Sequence, residues 1–345
     1  IRQDMSQIGT TYTCDRGEGL SAAHAGGLPG VQAFWAGDSW EWFAPVREGD
    51  EALAYMRITD LVEKASRHAG RMFDQWAEAI YVNQRGEVVA RRRTLAKRFE
   101  KSRVEGKPSG DGQEKKAPEP YHRPVYTPEM LKKIDQDYQA EVIRGATPRY
   151  WEDVQEGEPM QPVVKGPLTI TEEIAWYCGA GAPLGLASKV RWLYFQKRPG
   201  ANIPDPDTHV PDVPERIHWE SKLGRAFGGP DLFDVGVQRV SWLGHIVTNW
   251  MGDDAWLWKM DAQTRKLNVW GDTQWCKGKV TRKYVEGGRC LVECEVWCEN
   301  QRGEATAPGR ATIIVPSRKH GPALLPTPPH ARDLDVPTDM PHPLR

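Results

Sequence analysis

GRMFDQWAEAIYVNQRGEVVARRRTLAKRF, Gly70–Phe99, decides the fold. Two runs rich in β-branched and aromatic residues flank NQRGE, and such residues favour a pleated, half-buried surface. Asn83 opens a turn and Gly86 supplies the positive φ that a tight hairpin needs. The stretch therefore reads as an antiparallel hairpin. The same five residues recur at Asn300–Glu304, again between strand-like runs, RCLVECEVWCEN and TAPGRATIIVP. Upstream, REGD (Arg47–Asp50) is matched by VWGD (Val269–Asp272), and each opens a strand after a turn. The copies stand 222 residues apart at the Gly-Asp pair and 217 apart at NQRGE, so a small deletion separates them. A five-residue identity inside matching strand order marks a duplication. It predicts two copies of one α+β unit, each a helix followed by an antiparallel meander.

Outward from the repeat, WEWFAPV and ALAYMRITDLV supply the first copy's earlier strands. SAAHAGGLPG, before them, reads as a helix end and turn. Residues 100–125 are Pro-, Gly- and Lys-rich and nearly free of large apolar side chains, the composition of a solvated linker. Thr127 caps a helix in TPEMLKKIDQDYQAEVIRG, with Pro128 in its first turn and Gly145 as its stop. A second helix is capped by Thr171, with Glu172 and Glu173 in its first turn. Residues 182–214 form a Pro- and Asp-dense surface insertion. Gly236 opens a long apolar helix, with strands after it. The implied division is 1–100, an N-terminal half that is incomplete or has lost its His motif; 101–147, a basic linker and helix; 148–318, a C-terminal half; and 319–345, an extended arm on a surface or partner. The sequence begins without Met, which fits an N-terminus that is either clipped or missing.

Composition narrows the function classes. Charged residues make up 27% of the chain and hydrophobic ones 39%, which suits a globular protein of about two domains. No apolar run approaches the roughly 20 residues of a membrane helix. A net charge of −1 gives no nucleic-acid signal. The six cysteines form no CxxC pair. Cys290, Cys294 and Cys298 share one strand face, but each interval spans about 13 Å, too far for one metal ion. They read as packing thiols of a reducing cytoplasm. The seven Trp from Trp219 to Trp275 read as core, interface or pocket lining.

Candidate chemistry lies in Asp212–Met251. His218 stands in a loop-like run, and Gly236 starts a helix whose first N–H groups can hold a developing negative oxygen. An offset of 222 places the partner of His218 before residue 1, so the chemistry belongs to the second copy. Asp212 and Glu215 are the nearest acids, Arg239 and Trp242 on the helix are candidate substrate contacts, and no metal-ligand cluster is visible. Asp234 is a candidate helix cap, and His245 a hydrogen-bonded core histidine.

IHWESKLGRAFGGPDLFDVG resembles the segment of MaoC-like acyl dehydratases, the (R)-specific 2-enoyl-CoA hydratases, that reads Asp-x-Asn-Pro-x-His, helix, Gly turn, Gly. YWEDVQEGE and PLTITEEIAWYCGAG resemble the family's opening strand and first helix, and VWGDTQWCKGKV and ENQRGE its sheet. The first copy is similar to the FAS1-like dehydratase domain at the N-terminus of the same enzymes. The resemblance implies a double hotdog, two long helices each wrapped by a curved antiparallel sheet. It also implies hydration of a 2-enoyl-CoA or dehydration of a 3-hydroxyacyl-CoA, with no cofactor and the CoA thioester as substrate. His218 matches the family His and Gly236 the Gly that holds the thioester oxygen. The family Asp falls on Val213, so Asp212, or alternatively Glu215, would complete the site. A cytoplasmic homodimer, or a pairing with another hotdog chain, is implied as well. A hotdog thioesterase and a non-catalytic acyl-CoA-binding subunit are the alternatives.

Overall fold

The computed structural model describes residues 31–66, 70–100, 121–179, 188–197, 202–205, 207–334 and 336. Among the described residues, nine strands form one antiparallel sheet. They are β1 (Val31–Trp42), β2 (Ala52–Ser66), β3 (Gly70–Asn83), β4 (Val88–Glu100), β5 (Val163–Lys165), β6 (Trp256–Gln263), β7 (Gln274–Glu286), β8 (Arg289–Asn300) and β9 (Ala305–Ile314). Their order is β2-β3-β4-β1-β6-β9-β8-β7-β5. The helices are α1 (Pro128–Gln139), α2 (Ile170–Gly179), α3 (Lys189–Lys197), α4 (Ser221–Ala226) and α5 (Gly236–Met251). This is an α+β hotdog architecture.

The repeat is visible strand by strand. β1 to β4 correspond to β6 to β9, and each copy closes by pairing its first strand with its last, β1 with β4 and β6 with β9. This corrects the simple meander. The difference between the two offsets falls in the β2–β3 hairpin, whose strands are 15 and 14 residues long against 13 and 12 for β7 and β8. The copies join through β1 and β6, where Ser39 faces Asp261 and hydrogen-bonds its carboxylate. These two residues are 222 apart, the offset of the Gly-Asp pair. Equivalent residues thus meet where the two halves meet, as a two-fold relation requires. Gly37 permits the approach, since a Cβ there would lie 2.5 Å from the Ala262 carbonyl oxygen.

NQRGE earns its identity in both copies by the same contacts. The Asn83 carboxamide oxygen accepts from the Arg85 and Glu87 N–H groups, and Asn300 repeats this with Arg302 and Glu304. Arg85 and Gln84 grip Asp50, as Arg302 and Gln301 grip Asp272. The repeated tetrad ties each hairpin to the turn that begins the preceding strand pair.

α5 supplies the core. Val240, Leu243, Ile246, Val247 and Trp250 recur at helical spacing and pack with Cys276, Cys294, Cys298, Val292, Val296 and Ile313 of the sheet. The cysteines lie on the buried face of their strands. One of the two expected long helices is therefore described; residues 1–30, which hold the SAAHAGGLPG reading, lie outside the described residues, as do 101–120 of the linker. Among the described residues no helix is long and apolar enough to cross a membrane.

Several helix bounds differ from expectation. Thr127 does cap α1, accepting from the Met130 N–H, but the helix ends at Gln139, well before Gly145. α2 is capped by Thr169, whose hydroxyl accepts from the Glu172 N–H, so Thr171 is already inside the helix. The insertion carries a helix of its own, α3.

The C-terminal arm lies on the first copy. Val88 N–H donates to the Pro329 carbonyl and Ala331 N–H to the Gly86 carbonyl, both at 2.8 Å. Ala331 and Val336 pack with Phe43, Ile80, Val82 and Val88. Removing residues 326–345 should cost about 2–4 kcal/mol, from the lost apolar burial and two backbone hydrogen bonds. Urea denaturation checks this, and an unchanged midpoint would show that the arm contributes nothing.

Candidate active site

The site begins with a short 3₁₀ turn, Pro214–His218, which Pro214 starts at no cost because the first N–H of a helix lacks a partner anyway. Arg216, 5% exposed, anchors it through Glu220 and Asp205, the latter at 3.0 Å. The turn delivers His218 into the interior. Its Nδ1 lies 2.7 Å from the Phe233 carbonyl oxygen. A carbonyl only accepts, so Nδ1 carries the hydrogen and the neutral ring keeps its lone pair on Nε2. Phe233 meets the imidazole edge-on at 5.2 Å, and the Tyr177 ring lies 5.8 Å away. Burial pushes the His218 pKa down to about 4, against the opposing pull of the Phe233 carbonyl. At neutral pH the residue is an uncharged base.

This predicts a pH signature. The unfolded His takes a proton near pH 6.5, while the folded one resists until about pH 4. The contribution is thus fully present above pH 6.5 and is lost as pH falls towards 4, by about 3 kcal/mol. The difference in unfolding free energy between wild type and His218→Asn, followed by urea titration over this range, should show that slope. A difference independent of pH would contradict it.

Gly236 is the first residue of α5, and its N-cap, Val235, offers no side-chain cap. The first N–H groups of a helix have no acceptor within it. A Cβ at Gly236 would stand 3.3 Å from both Trp35 Cβ and Thr264 Cγ2, so the glycine lets the first copy press against the helix start. Phe34 continues that contact, with its ring 5.5 Å from Phe227 and 6.0 Å from Phe233. The first copy thereby forms an aromatic wall beside the segment that holds His218.

The other expected site residues fall elsewhere. Asp212 is not paired with His218: its carboxylate is taken by Arg191 at 3.0 Å and Arg216 at 3.5 Å. Glu215 stands in the same 3₁₀ turn as His218. Desolvation raises the Glu215 pKa. Arg239, expected at the substrate, is 1% exposed. Its Nε lies 2.8 Å from Asp234, and Nη1 donates to the carbonyls of Lys266 and Thr306, which leaves little of it for a ligand. Trp242, the other expected contact, is a core side chain of α5. Asp234 does not cap α5; it is the buried counterion of Arg239 and accepts from Asn268. His245 is half-buried, with Nδ1 2.8 Å from Lys165 Nζ.

Glu173 and Tyr177 were not legible as site residues. They stand one turn apart on α2 and are its buried positions, whereas Ile170 and Ile174 are exposed. The apolar pattern of α2 therefore points away from its buried face. The i, i+4 spacing of Glu173 and Tyr177 was the only available signal.

Residues 8–92 match the family model described as FAS1-like, dehydratase domain region. A comparison with curated proteins gave no match. Among solved structures, a MaoC-like dehydratase aligns with a TM-score of 0.52 and 15% identity, covering 82% of this chain and 75% of the other. A MaoC domain protein dehydratase from Chloroflexus aurantiacus aligns at 0.48 and 13%, covering 82% and 76%. An (R)-hydratase from A. caviae aligns at 0.35 and 11%, covering 48% of this chain and 99% of its own. Residues 8–92 are thus similar to the FAS1-like dehydratase domain region, and the described residues share the fold of a MaoC-like dehydratase.

Proposed function

We propose that the protein is a double-hotdog hydratase that adds water to a 2-enoyl-CoA, or removes it from the 3-hydroxyacyl-CoA. The observation that carries the proposal is a neutral His218 locked by the carbonyl of Phe233, three residues before the first residue of α5, which leaves the ring lone pair on Nε2. Nε2 takes a proton from water while the water oxygen bonds to C3 of the enoyl group. The π electrons move to C2 and the thioester oxygen, and C2 then takes the proton from the imidazolium so formed, which returns His218 to its neutral form. The Gly236 N–H is suited to hold that oxygen, and one such donor is worth about 2.7–4 kcal/mol. Of the acids considered from sequence, Glu215 fits better than Asp212, whose charge is already matched by two arginines. Water addition is redox-neutral, so the CoA thioester enters as substrate without a further cofactor. A homodimer, or a pairing with a second hotdog chain, is consistent with this reading.

The test follows the enoyl thioester absorbance over a panel of acyl chains, with a thiol reagent reporting free CoA in parallel. Loss of absorbance without thiol release is the expected result. Thiol release at the same rate would establish a thioesterase instead, and a chain that binds acyl-CoA without turnover would be a binding subunit.

A further inference from the structure

Asp212 and Glu215 are the sequence's candidates for the acid that completes the site. A third carboxyl is placed more directly. Glu173 is 0% exposed and reaches from α2 to the start of α5, where its Oε2 accepts from the Val235 N–H at 3.4 Å. Val235 immediately precedes Gly236. The second oxygen, Oε1, is buried without a hydrogen-bond partner. One turn further along α2, Tyr177 packs on the His218 ring. A single helix face therefore addresses both parts of the site, the oxygen-binding helix start and the base.

We infer that Glu173 acts in its acid form as a second donor to the thioester oxygen, its Oε1–H pointing into the position that the Gly236 N–H also addresses. The inference rests on the hydratase reading above. It assigns Glu173 a catalytic role: it strengthens the hydrogen bond to the oxygen as negative charge builds there, and it keeps its proton throughout.

The surroundings make the acid form the resident one. Burial is the largest influence and raises the Glu173 pKa to about 9, helped by Asp234 from the loop before α5 and by Glu172 beside it in sequence. The Val235 N–H and the Gln238 side chain of α5 oppose this. Arg239, the nearby cation on α5, is engaged by Asp234, and Lys165 acts on Glu172. Tyr177 and Glu215 complete the set and bring no positive charge, and His218 is neutral. An ionised Glu173 would face this site without a cation of its own, and it would repel the oxygen on which charge develops. A carboxyl kept neutral by an apolar, acid-flanked site is a known way to provide a strong donor at neutral pH.

The test compares wild type, Glu173→Gln and Glu173→Ala in the enoyl-CoA hydration assay from pH 6 to 10. Wild type should lose kcat as pH rises through about 9. Glu173→Gln keeps an N–H donor that does not titrate, so it should retain kcat within about 10-fold and lose that alkaline limb. Glu173→Ala should lose about 10²–10³-fold in kcat, with a smaller change in KM. Should the alanine variant not fold, the glutamine profile decides alone. An alkaline limb that persists in Glu173→Gln, or full kcat in Glu173→Ala, overturns the role of Glu173 while the hydratase reading stands. Absence of hydration by wild type over the whole acyl panel defeats that reading and this inference together.

Discussion

Replacing His218 with Asn should lower kcat for enoyl-CoA hydration by about 10³-fold and leave KM nearly unchanged. Asparagine is the informative choice. Its side-chain N–H can take the place of Nδ1–H against the Phe233 carbonyl, so no buried acceptor is orphaned. What it lacks is the basic Nε2. The protein should therefore fold, keep its Phe233 contact and lose its base. His218→Ala should be as inactive and less stable by about 1–3 kcal/mol, because the Phe233 carbonyl then loses its donor in the interior. If His218→Asn keeps more than a tenth of wild-type kcat, His218 is not the base. The comparison separates chemistry from architecture at a residue that serves both.

The second large effect concerns stability. Arg239→Ala should destabilise the fold by about 3–5 kcal/mol, measured by urea denaturation. Asp234 is held by Arg239 and Asn268 in a position almost closed to water, and desolvation already pushes its pKa up. Without the guanidinium, Asp234 either keeps an unmatched charge or takes up a proton, and both are costly. The Lys266 and Thr306 carbonyls lose their donor as well. Combining Arg239→Met with Asp234→Asn should restore the part of the stability that the unpaired Asp234 charge removes, while the two carbonyls stay without their donor. A loss below about 1 kcal/mol in Arg239→Ala would show that the pair is not a pin. The same pair fixes the loop before Gly236 to the first turns of α5, so the precision of the helix start depends on it.

How much of this was legible in the sequence depended on how local the cause was. NQRGE announced its own structure, because Asn83 and Asn300 close their turns with contacts two and four residues away. The duplication followed, and so did the strand order within each hairpin. The closure of β1 on β4 and of β6 on β9 did not, because strand pairing across a whole unit leaves no mark in spacing. His218 and Gly236 are candidates through a resemblance that spans the segment between them. Arg239 was misplaced because a charge in the first turn of a helix is ordinarily solvated, and only the fold shows Asp234 and two carbonyls converging on it. Asp212 was misplaced for a related reason. The insertion that holds it also brings Arg191, which with Arg216 claims the carboxylate. Glu173 was hidden by the exposed isoleucines of its own helix.

In the proposed reaction water is added to carbon and the thioester is left whole. The most direct measurement incubates the protein with a 2-enoyl-CoA in ¹⁸O-labelled water and locates the label by mass spectrometry. One ¹⁸O at C3 of an intact hydroxyacyl-CoA is the predicted result. Label in a free carboxylic acid, with CoA released and no hydroxyl gained at C3, would contradict it.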